Sequence, residues 1–87
     1  MTPPIDPKVF TEQAKRILKS EMQRRGVSYK ELAEALQRRG HGASANEANI
    51  RNQINRGTFS AAFFIECCLA IGSYIVRLGE PAEIEYN

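Results

Sequence analysis

No apolar run in this 87-residue chain approaches the roughly 18 residues that a membrane-spanning helix needs. It opens on no signal-peptide pattern, so a cytoplasmic protein with no membrane partner is expected. Cysteine is scarce: Cys67 and Cys68 are the only two, and they are adjacent. A disulfide between helical neighbours would be strained, and His41, the single histidine, cannot complete a metal site with them. They read as buried, reduced thiols, which suits a reducing compartment and implies no metal or cofactor. A Ser/His/Asp set would have to be drawn from Asp6, His41 and serines that already serve as helix caps, and no Gly-rich phosphate cradle exists. Catalysis is therefore not expected, and no small-molecule substrate is evident.

What is present is ordinary apolar content, 43%, in a chain just long enough for one core. The net charge of +2 conceals a division. Residues 8–56 hold eleven of the twelve Lys/Arg against five acids, a net of +6, whereas residues 57–87 hold one Arg against four Glu, a net of −3. Only one side of the molecule is expected to meet an anion.

Four helices are expected, at about 7–25, 28–39, 45–56 and 60–71, after a flexible arm over residues 1–5. Asp6-Pro7 caps and opens the first helix, and Phe10, Ala14, Ile17, Leu18 and Met22 recur along it at helical spacing. Glu12/Arg16 and Glu21/Arg25 are four apart and suited to surface ion pairs, and Gly26 ends the helix. Ser28-Tyr29-Lys30-Glu31 is a capping box ahead of Leu32, Ala33 and Leu36, with Gly40 as terminator. Gly40-His41-Gly42-Ala43 reads as a turn and His41 as a loop histidine without a carboxylate beside it. Ser44-Ala45-Asn46-Glu47 resembles a second capping box. Ser60 caps the fourth helix and Phe59 can staple onto Phe64. Residues 61–71 are apolar almost all round, with Glu66 the one charge, which predicts burial in the core or under a partner chain. Beyond Gly72, residues 73–78 and 83–86 have strand-like composition around a Gly79-Glu80-Pro81 turn, so the tail 73–87 predicts a strand or short hairpin and a possible dimerisation element.

The third helix organises the rest. Ile50 and Ile54, four apart, share an inward face. Asn49, Asn52 and Arg56 point the opposite way, with Arg51 and Gln53 on the flanks and nothing apolar larger than Ala48. Asn, Gln and Arg side chains can bond base edges and phosphates in a major groove. The candidate base contacts are Asn46, Ala48, Asn49, Asn52 and Gln53. The candidate phosphate contacts are Lys30, Arg38, Arg39, Arg51 and Arg56, and the partner they fit is double-stranded DNA.

The motifs SYKELAEAL, then IRNQINRG, then an apolar helix ending in LAIG resemble the Cro/lambda-repressor-like (XRE-type) helix-turn-helix over residues 28–72. The run GVSYKELAEAL…INRGTFSAAFFIECCLAIG is also similar to a group of short bacterial domains of that class. The resemblance implies a mainly α fold and a homodimeric transcription regulator. It places Asn46, Glu47, Ala48 and Asn49, near the start of the third helix, closest to bases. The turn before that helix is longer than the three or four residues usual in such motifs. The rival expectation is a helical protein–protein module, an adaptor or antitoxin-like partner, binding through the helix at 60–71 and the tail.

Overall fold

A computed structural model describes residues 6–79 of the chain. These residues are mainly helical, with four α-helices in the expected order: α1 (Pro7–Arg25), α2 (Tyr29–Leu36), α3 (Glu47–Arg56) and α4 (Ala61–Ile71). None of the helices among the described residues is long and apolar enough to cross a membrane. The expected arm at 1–5 and the second strand at 83–86 lie outside the described residues.

Local chemistry sets the helix ends. Asp6 accepts from the Lys8 N–H at 2.9 Å and Pro7 follows it at the first helical position. At α2 both halves of the capping box form: the Glu31 N–H donates to Ser28 Oγ, and the Ser28 N–H donates to Glu31, each at 3.1 Å. At α3 the cap is Asn46, whose side chain accepts from the Asn49 N–H at 2.9 Å. This corrects the capping box expected at Ser44 and moves the helix start from 45 to Glu47. The Ser44 hydroxyl donates instead to the His41 carbonyl, inside the preceding turn. Ser60 caps α4, and the Phe59 ring stacks near Phe64 with centroids 6.1 Å apart, as the staple requires.

The second helix also ends earlier than its pattern predicts. Regular α geometry stops at Leu36, and Gln37–His41 forms one wider, π-like turn broken at Gly40, where φ is 101°. The side chain of Gln37 spans this turn and donates to the Ala45 carbonyl at 2.9 Å. Ala45 is buried, so the long connection is pinned to the core at its far end.

Leu18, Met22, Leu32, Ala33, Leu36, Ala45, Ile50, Ile54, Cys67, Cys68 and Ile71 make one apolar cluster from all four helices. The 19 residues of α1 span about 28 Å, longer than any partner helix. Its first turn overhangs the core, and Phe10, expected on the inward stripe, is more than half exposed. The expected surface pairs are re-formed as well. Glu12 meets Lys15 at 3.1 Å, and the buried Glu21 meets Arg24, while Arg25 Nε donates to the Ile71 carbonyl at 3.2 Å. Of the two burials expected for α4, the core accounts for one side only: Cys67, Cys68 and Ile71 face inward, while Ile65 and Leu69 are 57% and 41% exposed on the single chain.

Beyond α4, residues 73–79 contain no strand, which corrects the expectation for 73–78. A strand needs a ladder partner, and the segment's polar groups are taken by helices instead. The Ser73 N–H donates to the Cys68 carbonyl, the Ser73 hydroxyl donates to the Glu21 carboxylate, and Gln13 donates to the Leu78 carbonyl.

The two thiols are free and buried, and burial pushes Cys67 up to about 12. Replacing both with Ala is expected to lower stability by roughly 1–2 kcal/mol through lost packing. Chemical denaturation measures that loss, and alkylation of the wild-type thiols should proceed only as fast as the domain opens.

Candidate nucleic-acid interface

Ile50 and Ile54 seat α3 against the core and leave its other side to solvent. Along one flank lies an open hollow of about 730 Å³ lined by Ser44, Asn49, Asn52, Gln53, Asn55 and Arg56. Every lining side chain is polar and the only charge among them is positive. The fold therefore brings together three of the five candidate base contacts, Asn49, Asn52 and Gln53, with the candidate phosphate contact Arg56.

The others are placed differently. The Asn46 side chain is the helix cap, and Ala48 is exposed without a polar atom to offer. Asn49 donates through Nδ2 to the Ser44 carbonyl at 2.9 Å, which ties its amide to the turn. Arg51 donates to Glu47 at 2.6 Å, with its guanidinium carbon 5.5 Å from the centre of the Tyr29 ring, so α3 and the start of α2 share a cation–π contact. Lys30, Arg38 and Arg56 are exposed and carry no ion pair among the described residues. Asn55, not among the expected contacts, lies on the rim of the hollow and donates to the Arg51 carbonyl at 2.9 Å.

Arg39 is committed elsewhere. It donates two N–H groups to Glu66 of α4, at 3.1 and 2.8 Å, and His41 Nε2 lies 2.7 Å from the other oxygen of that carboxylate. The histidine that the sequence left without a carboxylate thus has one, supplied from 25 residues away. These bonds clamp the wide turn before α3 to the body of α4. They also hold the Glu66 carboxyl below its ordinary range, through the His41 and then the Arg39 hydrogen bonds. The Glu21 carboxyl is lowered too, first by the Ser73 hydroxyl and then by Arg24, against the opposing effect of burial. No group of three His, Cys, Asp or Glu side chains among the described residues is arranged to hold a metal ion.

A carboxyl whose folded pKa lies below its unfolded one adds stability that is complete above the unfolded value, about 4.3 for Glu. That stability disappears as the pH falls through the folded value. Acid should therefore weaken the fold below about pH 4.5. Urea midpoints measured from pH 6 down to pH 3 should fall less steeply in Glu21→Gln and in Glu66→Gln than in the wild type.

The chain belongs to the DUF6471 family, a domain of unknown function, whose sequence profile matches residues 10–76. No curated protein and no solved structure matches it.

Proposed function

We propose that this DUF6471 chain is a cytoplasmic, sequence-specific DNA-binding regulator of the Cro/lambda-repressor-like helix-turn-helix class, which lays α3 in the major groove. The observation that carries the reading is the contrast between the two sides of α3. Two isoleucines are sealed in the core, while a concave outer flank offers amide, hydroxyl and guanidinium groups and no acid. An α-helix fits the major groove, and those groups are the ones that match base edges and phosphates there. Lys30, Arg38 and Arg56 are the cations available for phosphates, while Arg39 and Arg51 begin in the grip of Glu66 and Glu47.

Fluorescence anisotropy against mixed genomic duplex at two salt concentrations tests this. Three phosphate contacts per subunit give a slope of log K on log salt near −3 per subunit, from about −0.9 for each. Absence of duplex binding at low salt would defeat the reading.

A specific observation favours an additional protein contact. Ile65 and Leu69 lie one turn apart on the open side of α4, and Tyr74, Ile75 and Leu78 are exposed beyond it. We propose that this apolar surface joins two copies into a homodimer, which would set two α3 helices about one DNA turn, roughly 34 Å, apart. Sedimentation that finds only monomer at tens of micromolar, with and without DNA, rejects the dimer. A defined complex with an unrelated protein, together with no affinity for duplex, would instead make the chain an adaptor or antitoxin-like partner.

A further inference from the structure

We infer that Asn52 is the side chain that reads sequence, and that what it reads is an adenine in an A·T pair. The inference rests on the proposed function and narrows it to one residue and one base. Reading adenine takes a carboxamide with both ends unoccupied: its N–H donates to N7 and its carbonyl accepts from the N6 amino group.

The amides of α3 differ in this respect. The Asn46 carbonyl oxygen serves the Asn49 N–H at the helix start. The Asn49 amide nitrogen is held by the Ser44 carbonyl, and that of Asn55 by the Arg51 carbonyl one turn back. Gln53 is half-buried beside the core face. Asn52 is exposed, lines the hollow and has no side-chain partner among the described residues. Its position is also the central one. Two steps beyond Ile50 and two before Ile54, at about 100° each, it points directly away from the buried face. Arg56, one turn further on, stands on the same side, where a phosphate contact would fix the register of the helix on the duplex.

The test starts from a duplex site selected from random sequence by the wild-type protein. Each adenine in it is then replaced in turn by 7-deazaadenine, which keeps Watson–Crick pairing and removes the N7 acceptor. Competition titrations compare wild type, Asn52→Ala and Asn49→Ala at matched salt. Asn52→Ala is expected to cut the preference for the selected site over random duplex by about 5- to 150-fold. Its salt slope should be unchanged, since no phosphate contact is lost. One 7-deazaadenine position per half-site should weaken the wild type and Asn49→Ala but leave Asn52→Ala unaffected. Circular dichroism should show Asn52→Ala as helical as the wild type. Selective binding that survives Asn52→Ala, or a sensitive adenine silenced by Asn49→Ala instead, would overturn the inference while leaving DNA recognition by α3 standing. If no site can be selected because the wild type binds no duplex, the proposed function fails and the inference with it.

Discussion

Gly57→Ala is expected to destabilise the domain by about 2–5 kcal/mol, out of a total near 4–13 kcal/mol for a chain of this size. Two effects add. Gly57 closes α3 at φ 71°, and an L side chain in that left-handed conformation costs roughly 1–2 kcal/mol. The site is also full: a Cβ there would lie 2.8 Å from the Thr11 carbonyl oxygen and 2.9 Å from Thr11 Cγ2. The nearer atom belongs to the backbone of α1 and cannot swing aside, so either α3 or α1 must shift, with an overpacking penalty of about 1–3 kcal/mol. Gly26 supplies the comparison. It too has a left-handed φ, 66°, but nothing lies within 4 Å of the added carbon. Gly26→Ala should therefore show the conformational part alone, about 1–2 kcal/mol. Thermal unfolding of the pair separates the two effects, with a melting temperature lowered by roughly 10–30 °C for Gly57→Ala. Equal losses in the two variants would mean that α3 does not press on α1 as described.

Ile54→Ala is expected to have an effect of similar size, about 2–5 kcal/mol, by another route. Ile54 is fully buried, in the same apolar cluster as Leu18 of α1, Leu32 and Leu36 of α2 and Cys67 of α4. Truncation removes apolar contact with the core and leaves a cavity, because helices held at both ends by caps collapse onto it only in part. Ile54→Val removes one methylene and should lose about 0.5–1.5 kcal/mol. Denaturant midpoints across wild type, Val and Ala should fall in that order, with Asn52→Ala indistinguishable from wild type. If Ile54→Ala were as mild as Asn52→Ala, the inward and outward faces of α3 would have to be exchanged.

Much of the fold was legible because its determinants are local. Asp6, Ser28 with Glu31, and Ser60 sit at the right offsets from the helices that they cap. Ile50 and Ile54 mark the buried side of α3 by spacing alone. What could not be read lies in contacts between distant parts of the chain. Glu66 meets Arg39 and His41 across 27 and 25 residues, and Glu21 meets Ser73 across 52. Those contacts engage Arg39, tie the wide turn after α2 to α4, and hold the start of residues 73–79 against α1. The capping-box spacing pointed to Ser44 as the cap of α3. The choice fell to Asn46 because Ser44 lies within the turn and bonds its backbone. For the interface, the sequence supplied the outward residues of α3, but which amides remain unoccupied depends on where the turn places the Ser44 carbonyl.

Part of the outer face of α3 bears no load of the fold. Asn52 and Arg56 are exposed and have no hydrogen-bond or ion-pair partner among the described residues, and exposed substitutions of that kind stay within about ±0.5 kcal/mol. The caps, the isoleucines and Gly57, which do support the helix, occupy other positions. A lineage of such domains can therefore drift at 52 and 56 without any compensating change in the core. The chemistry that this exposed face of α3 presents and the way the chain folds are separately heritable, so a duplicated copy could change the one within a few substitutions while keeping the scaffold intact.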